Sequence, residues 1–178
     1  MAVIGFSSYA VAAWLIGNPD ILWISASIAA ASAGFLFFNF SPARIFMGDV
    51  GSIPLGFAAG LIGYIGWQHG SWPIWFPVLV FFPFIVDASV TLIRRLLRGE
   101  KIWQAHRSHY YQRLVLIGWG HRKVALCEYV LMAGVSLSAI SILNKPMWLV
   151  ATVLATWVLL YAILMYAIDK RWSEMQHP

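Results

Sequence analysis

Residues 147–168 read MWLVATVLATWVLLYAILMYAI, a stretch without a single charged side chain. About 20 apolar residues in helical conformation cross the hydrocarbon core of a bilayer, so this stretch is long enough to span a membrane. The rest of the chain has a similar composition: 61% of the 178 residues are hydrophobic and only 11% are charged. A soluble domain is about 25% charged. The composition therefore excludes a soluble enzyme, a disordered segment and a nucleic-acid-binding module.

Five further apolar runs precede this stretch, and together they predict about six transmembrane helices. The predicted bounds are 2–17, 21–38, 53–67, 72–93, 124–143 and 147–168. Polar turns such as Asn18-Pro19-Asp20 and Asn144-Lys145-Pro146 separate them. The sole cysteine, Cys127, excludes a disulfide framework. We therefore expect an all-α integral membrane protein that forms a single domain over residues 1–178.

The basic residues are distributed unevenly among the predicted loops. With a cytoplasmic N-terminus, 11 of the 12 Lys and Arg residues fall on the cytoplasmic side and only Lys145 falls outside. The positive-inside rule favours this orientation over its reverse. It predicts cytoplasmic termini and two cytoplasmic loops of functional interest, residues 39–52 and residues 94–123.

The first of these loops reads NFSPARIFMGDVGS and holds one acid, Asp49, between two glycines. Gly48 and Gly51 permit backbone turns that are closed to other residues. Ser52 is expected near the N-terminus of the next helix, where N–H groups and the helix dipole favour a phosphate. Mg²⁺ is commonly held by one or two carboxylates together with phosphate oxygens. The pattern fits a metal and phosphate site. It also fits an ordinary N-cap and turn with a solvated Asp49, and the chemistry of these residues alone slightly favours this second interpretation.

Asp87 is an acid inside the fourth predicted helix. By i, i+4, i+7 spacing it shares one helix face with Thr91 and Arg94. An acid within a membrane span usually faces a cavity or a charged partner. Two interpretations stay open at this point: a structural pair between Asp87 and Arg94, or a direct role in a reaction.

The second loop carries eight basic residues and three histidines, but Glu100 is its only acid. Many donors with few acids make an anion site, and the natural anion here is a phosphate. Alternatively, the loop lies on anionic lipid headgroups. The second interpretation explains the excess of Lys and Arg, but it does not explain His106 and His109, which are poor anchors at neutral pH.

Three stretches, in this order and spacing, resemble the polyprenyl-phosphate N-acetylhexosamine-1-phosphate transferases. They are residues 39–52, residues 83–87 followed by Arg94-Arg95, and residues 106–114. The likeness is greatest to the bacterial branch that starts O-antigen and other cell-envelope glycans on undecaprenyl phosphate. The resemblance implies transfer of a HexNAc-1-phosphate from a UDP-sugar to that lipid, with Mg²⁺ as cofactor, at the cytoplasmic face of the bacterial inner membrane.

The resemblance also implies roles for individual residues. Asp49 would be the Mg²⁺ ligand and a catalytic residue, and His109 would be a second catalytic residue. The implied substrate-binding residues are Asn39, Ser52, Asp87, Arg94, His106, Arg107 and Arg113. The implied partners are a UDP-N-acetylhexosamine, undecaprenyl phosphate and membrane lipids, and no nucleic acid.

The chain departs from the family pattern in two places. The later loop of the family often reads His-x-His-His, where this chain has His109-Tyr110-Tyr111-Gln112. The adjacent aspartate pair and the Asp-Gly-x-Asp-Gly segment of the family's earlier half have no counterpart in these 178 residues. The chain thus resembles the C-terminal half of a larger transferase. We expect little activity unless an N-terminal half is supplied; a homo-oligomer is a further expected partner.

A competing hypothesis is a small transporter or lipid-binding membrane protein that uses Asp87 as its polar group within the membrane. Transporters place polar groups near the midplane, often within inverted repeats. In this chain the polar groups gather at one predicted face, and no internal repeat is visible. The distribution favours the transferase.

Overall fold

The computed structural model describes residues 1–101 and 109–176, which form eight α-helices and one π-helical segment. The helices are α1 (Ala2–Ile16), α2 (Pro19–Asn39), α3 (Gly48–Gln68), α4 (Trp75–Val80), α5 (Phe82–Leu97), α6 (Tyr110–Leu114), α7 (His121–Ser141) and α8 (Met147–Gln176), with the π-helical segment at Val115–Trp119. The described residues contain no strand, and α2, α3, α7 and α8 are long and apolar enough to cross a membrane. The prediction of an all-α membrane protein is confirmed.

α1 and α2 form a helical hairpin. Gly17 ends α1 in the left-handed conformation, with φ of 74°, which glycine adopts without a steric penalty. The side chain of Asn18 then caps α2 by accepting a hydrogen bond from the N–H of Ile21 at 3.2 Å. α1 is apolar but has only 15 residues, so it is shorter than the four helices of spanning length.

The fourth predicted helix is not continuous. The sequence predicts one helix over residues 72–93, and this prediction is wrong because the structure divides the segment at Phe81 into α4 and α5. Pro83, in the first turn of α5, has no N–H to donate, and its ring would clash with the carbonyl of Leu79 in an unbroken helix. α5 starts afresh at this break and carries Asp87 and Arg94 towards the second loop.

An aromatic cluster joins α1 to α3 and α4. Tyr9 is fully buried, and its ring stacks on that of Trp72 with 5.1 Å between centroids. Its hydroxyl donates to the carbonyl of Ala59 at 3.1 Å, and the indole N–H of Trp72 donates to the carbonyl of Gly63 at 3.0 Å. A side chain at Gly66 would overlap the Trp72 ring. The small residues of α3 therefore let this helix pack closely in the core.

α8 continues past residue 168, where the sequence analysis ends the last span, to Gln176. Its 30 residues extend for about 45 Å at 1.5 Å per residue. Since the hydrocarbon core of a bilayer is about 30 Å thick, the helix is long enough to project beyond the membrane. The extension carries Asp169.

Contacts between the helix ends place the two loops of interest on one side of the bundle. At one end, the side-chain amide of Asn18 donates to the hydroxyl of Ser71 at 3.0 Å and joins the turn after α1 to the turn after α3. At the other end, the ring of Phe40 after α2 lies 5.9 Å from the guanidinium of Arg122 at the start of α7. The ends of α5 and α8 also meet at this second end. The assignment of this second end of the bundle to the cytoplasmic face stays a prediction.

Candidate functional site

The loop after α2 folds back onto the end of that helix. The side-chain amide of Asn39 donates to the carbonyl of Ile45 at 2.8 Å, and the N–H of Arg44 donates to the carbonyl of Phe38 at 2.8 Å. Asn39 therefore shapes the loop in this structure. Its predicted contact with substrate stays a prediction.

Asp49 lies in the first turn of α3 and is exposed. Gly48 begins the helix with φ of 61°, as a turn glycine should, whereas Gly51 lies within the helix and leaves room for the side chain of Met47. Only one of the two glycines therefore makes the turn that the sequence suggests. Met47, the N-cap residue of α3, makes no side-chain hydrogen bond to the first N–H groups of the helix, and Ser52 is exposed one turn further along. The Asp49 carboxylate and the N-terminus of α3 therefore lie on the same exposed surface.

This surface can supply part of a magnesium site. Over residues 1–101 and 109–176, no three His, Cys, Asp or Glu side chains lie close enough together to hold a metal ion. Mg²⁺ usually takes one or two carboxylates and completes its six ligands with water and substrate phosphates. The exposed Asp49 carboxylate fits one such ligand position.

Asp87 binds the start of α6. Its Oδ1 accepts a hydrogen bond from the N–H of Tyr110 at 2.9 Å and one from the hydroxyl of Thr91 at 3.3 Å. The same oxygen lies 3.6 Å from Nδ1 of His109. The shared face of Asp87 and Thr91 is thus as the spacing predicts. The carboxylate faces the residues that precede and begin α6.

The structural pair between Asp87 and Arg94, one of the two interpretations left open, is wrong. Nη1 of Arg94 lies 2.6 Å from Oδ2 of Asp169 in α8. Arg94 lies nearly two helical turns beyond Asp87, near the end of α5. From there its long side chain reaches across to the neighbouring helix.

Asp169 connects three elements at this end of the bundle. Besides Arg94, it binds Nη1 of Arg113 at 2.7 Å through Oδ1 and accepts a hydrogen bond from the Tyr110 hydroxyl at 3.1 Å through Oδ2. Asp169 lies outside the three sequence stretches that predicted the site. A signal was present, because Asp169 is one of only seven acids in the chain and directly follows the last apolar run, on the side predicted to hold nearly all the basic residues.

Tyr110 lies buried between the two arginines. The guanidinium carbons of Arg94 and Arg113 lie 5.4 and 5.0 Å from its ring centroid, within the range of a cation–π contact. Burial, with a contribution from the charge of Asp169, raises the pKa of Tyr110 to about 12. The phenol therefore stays protonated at neutral pH and can donate to Asp169.

The structure brings four of the predicted site residues together where α5, α6 and α8 meet: Asp87, Arg94, His109 and Arg113. Arg94 and the buried Arg113 bind groups of the protein itself, and their predicted phosphate contacts stay predictions. His106 and Arg107 fall within residues 102–108, outside the described part of the chain. Asp49, Ser52 and Asn39 belong to the first loop, which contacts the start of α7 through Phe40.

Comparison with known proteins gives a consistent set of relatives. Residues 1–66 match the family model described as glycosyl transferase family 4. The chain is 36% identical over 151 residues to the "Probable undecaprenyl-phosphate N-acetylglucosaminyl 1-phosphate transferase" of Bacillus subtilis (strain 168), covering 84% of this chain and 42% of the relative. It is 30% identical over 128 residues to the "Phospho-N-acetylmuramoyl-pentapeptide-transferase" of Geobacillus sp. (strain WCH70), covering 70% of this chain and 37% of the relative. The chain thus spans about two fifths of the length of these relatives. No solved structure matches it at a significant level.

Proposed function

The chain belongs to glycosyl transferase family 4, and from this premise we propose that it forms part of a bacterial membrane transferase. The enzyme moves a HexNAc-1-phosphate from a UDP-sugar to undecaprenyl phosphate and so starts an O-antigen or another cell-envelope glycan. UMP leaves as the lipid diphosphate sugar forms. The activity requires the complete assembly, meaning this chain together with the part that its relatives have in addition. The chain spans only about two fifths of these relatives, and its 178 residues contain no adjacent aspartate pair like that of the family's earlier half.

One observation carries the proposal. Asp49 is exposed in the first turn of α3, at the same end of the bundle as Arg94 of α5 and Arg113 of α6. Phosphoryl transfer depends mainly on positioning and on neutralising charge. The N–H groups at the start of α3 can bind a phosphate oxygen. His109, beside Asp87, can donate a hydrogen bond to a second one.

The Asp49 carboxylate would hold Mg²⁺, together with water and substrate phosphate oxygens. When bound, this ion neutralises negative charge on the phosphates. The transporter hypothesis relied on Asp87 as its polar group within the membrane. That carboxylate accepts a hydrogen bond from the N–H of Tyr110 at the start of α6, and the relatives named above are transferases, so the transferase is favoured.

The proposed activity can be tested by UMP release. We expect no release from this chain alone, and release when it is co-expressed with the segment that its longer Bacillus relative has in addition. The reaction should require both a UDP-N-acetylhexosamine and undecaprenyl phosphate, and omission of the lipid is the control. A co-expressed, membrane-inserted pair that releases no UMP from any UDP-N-acetylhexosamine would contradict the proposal.

The proposed orientation makes a separate prediction. In a Cys127→Ser background we place single cysteines at His69, between α3 and α4, and at Met175, near the end of α8, both of which are exposed. A membrane-impermeant maleimide should label position 69 in intact cells, and position 175 only after permeabilisation. The reverse pattern would put the site on the side of the membrane without UDP-sugars.

A further inference from the structure

α6 is too short to be stable by itself. It has only five residues, Tyr110–Leu114, and isolated helices below about 12–15 residues are marginal in water. Its position therefore depends on contacts with longer elements. At its start, the Tyr110 N–H binds Asp87 of α5 at 2.9 Å. On its other side, the Tyr110 hydroxyl and the Arg113 guanidinium both bind Asp169 of α8.

Asp169 also compensates two like charges. Arg94 and Arg113 both approach the ring of Tyr110, from α5 and from α6, and one carboxylate accepts a hydrogen bond from each at 2.6 and 2.7 Å. Hydrogen bonds between ionised partners are shorter and roughly twice as strong as neutral ones. Loss of the carboxylate charge would remove the counter-charge that two guanidinium groups share, one of them buried.

We propose that Asp169 is a positioning residue: it fixes α6 against α5 and α8, and through α6 it sets His109 beside Asp87. His109 is the residue directly before α6, and its Nδ1 lies 3.6 Å from Asp87. A shift of α6 therefore moves the imidazole. The inference rests on the proposed function for the role of His109, while the attachment of α6 by Asp169 stands on geometry alone.

Hydrogen–deuterium exchange of the full chain in nanodiscs tests the attachment without any assay of activity. In Asp169→Asn, the hydrogen-bonded amides of Tyr110 and Arg113 should exchange roughly ten- to hundred-fold faster, because a charge-assisted hydrogen bond that holds α6 is lost. Asp169→Glu keeps the charge and should restore most of the protection. The matched control is Glu174→Gln, which removes the same charge from an exposed position on the same helix. Exchange in Asp169→Asn equal to that of the control would overturn the proposal.

A milder variant guards against general unfolding. Amides of α2 report on the rest of the bundle and should exchange as in the wild type. If they do not in Asp169→Asn, Tyr110→Phe removes only the hydroxyl contact with Asp169 and should accelerate exchange at residues 109–114 a few-fold. No acceleration in this variant would also count against the proposal.

Kinetics of the co-expressed assembly test the positioning role. Asp169→Asn should lower kcat about ten-fold or more, by analogy with loss of one charge-assisted contact, and Asp169→Glu should recover it. A merely structural role would loosen α6 and leave kcat and KM unchanged, and that result would reject the role in positioning. A wild-type assembly without transfer activity would instead contradict the proposed function, and the exchange data would still decide whether Asp169 holds α6.

Discussion

Replacing Asp49 by Asn in the complete assembly should lower the rate of sugar-phosphate transfer by at least ~100-fold, the usual cost of removing one electrostatic element that stabilises developing charge. The substitution keeps the shape of the side chain and removes its charge. Asp49 is exposed in the first turn of α3, so the fold should tolerate it. The measurement is UMP release at saturating Mg²⁺.

Asp20→Asn is the matched control for this experiment. Asp20 is also an exposed acid in the first turn of a helix, α2, but it lies at the opposite end of the bundle. The control should turn over normally. Chelation of divalent cations should abolish the activity of the wild type. It should lower the residual rate of Asp49→Asn only slightly, because this variant has already lost the metal ligand. Near-normal turnover of Asp49→Asn would reject this residue as a metal ligand.

The second large effect is expected in the basic loop. If Arg107 binds phosphate through its planar guanidinium, Arg107→Lys should weaken UDP-sugar affinity or rate roughly ten- to hundred-fold, although the charge is kept, because lysine cannot make a bidentate contact. His109→Ala should fall in the same range if the ring donates to substrate. If the loop only lies on lipid headgroups, both variants should behave like the wild type.

Arg98→Lys and Lys101→Arg serve as controls for the loop. Arg98 is largely exposed, and its guanidinium approaches Glu100 only to 3.9 Å. Lys101 contributes its backbone carbonyl, which accepts a hydrogen bond from Arg95. Arg113 is a poorer discriminator than Arg107, because Arg113→Lys also weakens the contact with Asp169 and should alter exchange at α6. If Arg107→Lys and His109→Ala both match the controls, the substrate-site interpretation of this loop is wrong.

The departure from the His-x-His-His pattern falls on Tyr111 and Gln112, while Tyr110 occupies the variable position. The buried phenol of Tyr110 donates to Asp169, and its ring meets two guanidinium groups. His109 keeps the partly exposed position next to Asp87. The family motif identifies residues 109–112 as a segment of interest. Which of these side chains is buried and which is exposed follows from contacts with α5 and α8.

The sequence by itself determined the class of the protein and the regions that matter. Apolar run length and charge scarcity are local properties, so they predict membrane helices such as α8 without knowledge of the fold. The glycine-flanked Asp49 and the basic loop are likewise visible in the one-dimensional pattern. The break at Phe81 also has a local cause, Pro83. The prediction of one helix over residues 72–93 missed it because it relied on the length of the apolar run.

Only the tertiary structure decided which charges meet. Arg94 and Asp169 are 75 positions apart in the chain, and Arg113 and Asp169 are 56 apart. Within one helix, spacing correctly predicts neighbours such as Asp87 and Thr91, because residues four apart share a face. Between helices, the partner depends on how α5, α6 and α8 pack and on how far α8 extends past its apolar stretch. The local spacing therefore suggested Asp87 as a partner for Arg94, whereas the packing of α5 against α8 pairs Arg94 with Asp169.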